Sequence, residues 1–343
     1  MEYNMSATNE KPQVWTIRPA NLDDLNAAVA FFNLYSMATI GVKDTTPGSL
    51  RSEWTSPGYD LETSTRIIQL PEGDWIGYAE VWDVEEVPVR AFVWGCVHPE
   101  YQRRGIGTHL QLWAEHRAQQ ALKRLPQDLR FSIRMFATSN NDSAIALFKQ
   151  RGASHIRRYW DMQIDLATPS TEVRWPEGLR MITFDSFGDY KAVYRAIDEA
   201  FKDHFGYVEE PFETGFPKWK HRMTSPDAYD PKLWFLVMDG DQIAGVAICK
   251  ESSDEDPESG WVRVLGVRRP WRRRGLGSAL LIHAFNELRK RSKKRAGLGV
   301  DSSNLTGATD LYEKAGMHVH RAYDSYEIEV RPGKDISRTS IQN

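Results

Sequence analysis

Two short stretches of this chain join arginines to a pair of glycines, a pattern suited to gripping a phosphate. They are Gln102-Arg103-Arg104-Gly105-Ile106-Gly107-Thr108 and Arg272-Arg273-Arg274-Gly275-Leu276-Gly277-Ser278. Glycine lets a backbone turn through conformations closed to other residues and approach phosphate oxygens with no Cβ in the way. If such a turn opens a helix, the unpaired N–H groups of the first helical turn and the positive end of its dipole add to the arginine charge. Two commoner phosphate grips do not fit. A P-loop needs Lys between the last Gly and Ser/Thr, yet Ser278 follows Gly277 directly; a dinucleotide turn needs Gly or Ala where these copies have Leu110 and Leu280.

The elements that must hold these turns are legible around them. An apolar, β-branched-rich run precedes each turn, at 92–97 and 261–267, and predicts a strand. After the first turn Leu110, Ala114, Ala118, Ala121 and Leu125 recur at helical spacing up to Pro126; after the second, Leu280, Leu281, Ala284, Phe285 and Leu288 do so. The repetition extends outward. GDWIGYAEVW and GDQIAGVAIC precede the two copies, SNNDSAIALFKQRGA and SSNLTGATDLYEKAGM follow them, and Gly105 and Gly275 are related by a shift of 170 residues. The 343 residues accommodate two domains at about 150 residues each. The first is expected at 13–166, a proline-framed polar linker at 167–178, the second at 179–331, and a patternless, frayed tail at 332–343. Each copy reads as a helical N-terminal region, strands, the glycine turn, a helix, a strand and a shorter helix, which is a mixed α/β order.

The sequence Gln/Arg-x-x-Gly-x-Gly, present twice in matching context, resembles the signature of the GNAT superfamily of acyl-CoA-dependent N-acetyltransferases, and the resemblance spans nearly the whole chain in two passes. It implies an α/β (α+β) fold of two tandem GNAT-like domains, each a mixed, mostly antiparallel twisted sheet flanked by helices. It also implies acetyl-CoA as the donor, with its pyrophosphate clasped at 102–108 and 272–278. In that family, backbone groups of the preceding strand hold the thioester. This assigns Val97 in the first copy and Leu265 or Val267 in the second, where an N–H would stabilise the developing oxyanion. Asn304, with Asn140 as its counterpart, matches the asparagine that contacts the pantetheine arm, and a helix N-cap accounts for it equally well.

The family often carries a tyrosine near the cofactor sulfur, within Leu-Tyr-x-x-x-Gly; here Leu311, Tyr312 and Gly316 supply that pattern. A phenol of ordinary pKa, about 10, stays protonated at neutral pH and can deliver a proton to the departing thiolate. The first copy has Phe148 at that place, which cannot donate, so the first domain is expected to be a catalytically degenerate, cofactor-binding scaffold. The chain resembles a tandem member of the family that uses its second domain for catalysis and carries a glutamate base at the opening of the strand; the matching place here holds Trp261. Asp203, His204, Tyr207 and Trp261 are the candidates for an acceptor pocket that takes the primary amine of a small molecule. The alternatives are a non-catalytic acyl-CoA sensor or scaffold, and a transferase for protein or peptide amines.

Composition narrows the partners. Lys and Arg number 44 against 47 Asp and Glu, a formal charge of -3, which disfavours nucleic acid. The basic run LRKRSKKR at 288–295 reads as the solvated end of an amphipathic helix reaching toward the coenzyme 3′-phosphate. Cys96 and Cys249 are too few for a disulfide framework or a zinc site, so no metal is expected. No stretch approaches the about 18 apolar residues that span a bilayer, and the start lacks a secretory pattern, so a cytoplasmic protein is expected. A tandem pair can mimic a dimer, so a monomer suffices.

Overall fold

The computed structural model describes residues 15–167, 172–304 and 307–339. The first half runs β1 (Thr16–Arg18), α1 (Leu25–Ile40), α2 (Pro47–Trp54), α3 (Leu61–Ser64), β2 (Thr65–Gln69), β3 (Trp75–Trp82), β4 (Arg90–Val97), α4 (Ile106–Ala118), β5 (Phe131–Thr138), α5 (Asp142–Gln150) and β6 (Ser154–Asp165). The second half runs β7 (Arg180–Thr183), α6 (Phe184–Phe187), α7 (Tyr190–Phe201), α8 (Phe212–Met223), β8 (Trp234–Asp239), β9 (Gln242–Lys250), β10 (Ser259–Val267), α9 (Leu276–Lys290), β11 (Arg295–Asp301), α10 (Ala308–Lys314) and β12 (His318–Arg331). Both glycine turns open helices, as the periodicity predicts. In the first copy the α-helix stops at Ala118 and continues as a 3₁₀ segment, Gln119–Lys123. Ala121 and Leu125 remain buried, so the tighter winding keeps the apolar stripe on the core.

All twelve strands form one sheet, in the order β1-β2-β3-β4-β5-β12-β6-β11-β10-β9-β8-β7. Most neighbours are antiparallel; β4 with β5 and β10 with β11 are parallel. The two halves exchange their last strands. β12 pairs with β5 of the first half, and β6 pairs with β11 of the second. β6 and β12 also pair with each other, Tyr159 opposite Tyr323. These tyrosines are repeat equivalents, each seven residues after the glycine that ends its short helix, Gly152 or Gly316, so a local two-fold axis passes between them. Buried charges pin the exchanged strand: the Glu327 carboxylate accepts from Arg130, Ser132 and Arg134, and Asp324 accepts both ends of the Arg158 guanidinium.

Each cofactor-side helix packs closely on its sheet because the facing strand carries glycine. A methyl group at Gly77 would lie 2.8 Å from Ile106, and one at Gly245 would lie 3.0 Å from Leu280. Leu276, Leu280, Leu281, Ala284, Phe285 and Leu288 of α9 then fill one buried cluster with β9, β10 and β11.

Two expectations are corrected. The described part of the tail is docked: Lys334 exchanges backbone bonds with Asp128 and Arg130, and Arg338 with Gly206 and Tyr207. Main-chain hydrogen bonds need no side-chain pattern, so composition gives no sign of them. The basic run lies at the far end of α9, about 22 Å of helix from the glycine turn at 1.5 Å per residue over 15 residues. There Arg291, Lys293, Lys294 and Arg295 pair with Glu251, Glu258 and Asp256, an acidic loop between β9 and β10, rather than reaching a cofactor. Of the expected linker, residues 168–171 fall outside the described residues.

Candidate active site

The two glycine turns have the same shape. Arg103 and Arg273 both adopt φ 60°, and Gly105 and Gly275 follow at 82° and 81°. Each glycine is the N-cap of its helix, with no atom near the space a side chain would occupy. The first intrahelical bonds are His109 N to Gly105 O and Ala279 N to Gly275 O, both 3.0 Å. The N–H groups of Ile106, Gly107 and Thr108, and of Leu276, Gly277 and Ser278, precede them and have no carbonyl within their own helix. Left-handed residues in such a turn direct successive N–H groups to one concave side, the geometry that takes an anion. The turns therefore fit a pyrophosphate on geometry that this chain supplies by itself.

The strand beside each turn opens next to it. β4 pairs with β5 only over Arg90–Val93 and Ser132–Met135, and β10 pairs with β11 only over Ser259–Trp261 and Arg295–Gly297. Beyond those residues the parallel strands part, leaving the 94–97 and 262–267 backbone free on that side. Gly107 sits against Val97 and Leu147, and Gly277 against Val267 and Leu311, so turn, strand end and short helix converge in both halves.

In the first half this convergence forms a cavity of about 880 Å³. Val97, Gln102, Arg103, Gly105, Gly107 and Thr108 line it, as sequence predicted they should gather. Ile106 is buried in the core instead, and Arg104 lies over the Tyr101 ring at 4.9 Å. Asn141, not Asn140, caps α5, accepting from Ala144 N at 3.1 Å. Asn304, the equivalent of Asn140 at a shift of 164 residues, accepts from Ala308 N at 3.4 Å, so the two copies take the side-chain bond from adjacent positions.

In the second half Arg273, Arg274 and Gly275 are exposed, Leu276 is buried, and Leu265 and Val267 pack on the core cluster. Arg272 turns inward, donating to Val267 O at 3.0 Å, Ala200 O at 2.9 Å and Asp203 at 2.5 Å. Its guanidinium is thereby committed to the fold. Asp203 is fully buried and also accepts from Arg269, and these hydrogen bonds hold its carboxyl well below the usual carboxylate range. Asp203 thus braces the second turn and does not face an acceptor.

The remaining acceptor candidates separate. His204 lies on Phe201 and, with Tyr207, lines another cavity, about 620 Å³ between the halves, with Arg90 and Arg134. Burial and then Arg272 push its pKa down. The Tyr207 hydroxyl donates to Asp198 at 2.8 Å. Trp261 lies against Gly297 at the closed end of the parallel pair, where a methyl would sit 2.6 Å from its ring.

Tyr312 projects from α10 into the second core cluster, 7% exposed, and its neighbour Leu311 lies 3.1 Å from where a Gly277 methyl would be. Burial pushes its phenol up to about 12. Sequence reading missed Tyr35, Asp44 and Glu53, which line the far end of the first cavity. They sit in and after helices that carry no motif, and only the folded chain brings them to the turn. No cluster of metal-binding side chains exists among the described residues. Nor is any helix there long and apolar enough to cross a membrane.

Comparison with known proteins agrees with this geometry. The profile of the acetyltransferase (GNAT) family matches residues 29–153 and 191–317. A mycothiol acetyltransferase of Salinispora arenicola is 30% identical over 271 residues, 76% of this chain and 80% of that protein. That of Thermobispora bispora is 28% identical over 262 residues, 76% and 82% of the two chains. Among solved structures, a GCN5-related N-acetyltransferase from Sphaerobacter thermophilus is 31% identical with a TM-score of 0.75, covering 94% of this chain and 98% of that one. A tandem GNAT protein from the clavulanic acid biosynthesis pathway shares the fold at 15% identity, TM-score 0.69, covering 94% and 100%.

Proposed function

Because the chain belongs to the acetyltransferase (GNAT) family and is an acetyl-CoA-dependent N-acetyltransferase, we propose that it passes the acetyl group directly to a primary amine of a small molecule, with Tyr312 as the general acid. The observation that carries this reading is the Tyr312 phenol itself. It is buried on the helix that abuts Gly277, and its hydroxyl makes no hydrogen bond among the described residues. A phenol pushed up to about 12 stays protonated through the physiological range, ready to donate to a leaving thiolate. The amine nitrogen attacks the thioester carbonyl, the C–S bond breaks, and the phenol proton goes to sulfur. The free backbone of the parted β10 is available to hold the thioester, and the turn at 273–278 the pyrophosphate.

The relatives are named for mycothiol, but Trp261 stands where a base would be expected, so the proposal stops at a small primary amine. The test is thiol release from acetyl-CoA by the full chain with a panel of small monoamines. Tyr312→Phe is expected to lower kcat by about 100-fold or more with little change in KM, as loss of a general acid does. An unchanged rate removes Tyr312 from the mechanism. Acetyl-CoA binding without turnover on any amine would favour a sensor, and turnover only on peptides a protein acetyltransferase.

A further inference from the structure

The first half does more than its Phe148 suggests. Its cavity runs from the glycine turn along the end of β4 to a chamber formed by α1, α2 and the segment between them. Phe32, Tyr78 and Trp94 form one wall in mutual contact, with ring centroids 4.8, 5.1 and 6.0 Å apart. Asp44 and Glu53 open onto the same space, and the only lysine or arginine among the described lining residues is Arg103, back at the turn. The Glu53 carboxyl takes part in neither a hydrogen bond nor an ion pair among the described residues. Tyr35 also lines the cavity; its hydroxyl accepts from Asn141 Nδ2 at 2.9 Å, which leaves the phenol proton free to be donated. Asp44 accepts from the Thr45 hydroxyl at 3.0 Å, but no lysine or arginine neutralises either carboxylate among the described residues, and an aromatic wall beside such carboxylates is a receptor for organic cations, through cation–π attraction and charge.

We propose that the first half is a second acetyl-transfer site, whose acceptor is a small polycationic amine received between the aromatic wall and the Asp44 and Glu53 carboxylates, with Glu53 as its general base. The site depends on acetyl-CoA as donor but not on Tyr312. Glu53 takes one proton from the substrate ammonium. The freed amine attacks the thioester carbonyl, forming C–N, and the C–S bond then breaks. Tyr35 gives its proton to the departing sulfur and recovers one from the new amide nitrogen, while Glu53 releases its proton to solvent. Products are the N-acetyl amine, the free thiol and one proton. Tyr35, reaching in from α1, thereby stands in for the acid missing at Phe148.

The surroundings suit Glu53 to this task. Glu53 stays open to solvent at the cavity wall, yet the protein packed around it, then Glu80 on β3, Asp254 on the β9–β10 loop and Asp44, push its carboxyl up to about 8. Glu80 is held by Tyr78 and Tyr59, and Asp254 by Lys250. From α8, His221 is bonded to Ser52 O at 2.8 Å. A carboxyl titrating near 8 accepts a proton from an ammonium more readily than an ordinary glutamate does, and an arriving cation favours its ionised form.

The test uses the full chain, acetyl-CoA, and spermidine as the probe acceptor, read as thiol release across pH 6–10. Transfer to spermidine is expected, with kcat/KM rising through about pH 8. Glu53→Gln should lower it about 100-fold and abolish that rise. Tyr35→Phe should lower kcat with acetyl-CoA binding retained. Tyr312→Phe should leave spermidine transfer within two-fold while monoamine transfer falls. Spermidine transfer that is absent, that survives Glu53→Gln, or that disappears with Tyr312→Phe overturns the proposal. Failure of Tyr312→Phe to affect monoamines would instead count against the second-half mechanism alone. Calorimetric binding of acetyl-CoA to Glu53→Gln, expected unchanged, separates loss of chemistry from loss of fold.

Discussion

Asp203→Asn removes the charge that braces the second phosphate turn while keeping the shape of the side chain. The wild-type carboxylate is fully buried and accepts from Arg269 and Arg272, whose side chains are 50% and 26% exposed. A buried hydrogen bond to a charged group contributes about 1.5–3 kcal/mol, and an exposed ion pair at most about 1 kcal/mol. The half-exposed Arg269 belongs to the second class and Arg272 lies near the lower edge of the first, so the substitution should cost about 2–3 kcal/mol at pH 7. The native carboxyl is depressed below its unfolded value of 3.8, so this stability is fully present above about pH 4 and is lost as pH falls further, where both states become protonated. Urea unfolding of wild type and variant at pH 7 and pH 2.5 measures the difference. Acetyl-CoA affinity should weaken as well, because Arg272 and its backbone bonds to Val267 and Ala200 lose their anchor. A stability change under about 0.5 kcal/mol, the spread expected of uninvolved surface sites, or an equal difference at both pH values would refute the bracing role.

Gly275→Ala should cost about 1–2 kcal/mol from the left-handed backbone alone, since the space around it is open. It should also weaken acetyl-CoA at the second turn while leaving the first turn's affinity intact, and calorimetry that finds both affinities unchanged would remove the turn from binding. Glu327→Gln leaves the Arg134 guanidinium, 9% exposed, without its carboxylate and should cost about 3 kcal/mol. Because β12 completes the first half's sheet and β6 the second's, unfolding should remain one cooperative transition, and two separated transitions would mean that the halves are stable independently.

The repeat, the strand-turn-helix order and the phosphate-gripping turns were legible in the sequence because each is local. Glycine spacing, helical periodicity and an apolar run before the turn are fixed by residues within a few positions of one another, and duplication states them twice. Arg272 and Asp203 mark the limit of that reading. Their types suggested cofactor and acceptor, but a bond spanning 69 positions along the chain turned both into a brace. The exchanged strands, with Tyr159 facing Tyr323, were equally hidden, since either half's periodicity is satisfied whether its last strand closes its own sheet or the other's. The same holds for the first cavity: Tyr35 and Glu53 belong to helices whose pattern records only which face is buried. What joins them to Gly105 is the parting of β4 from β5, a tertiary event that leaves no trace in spacing.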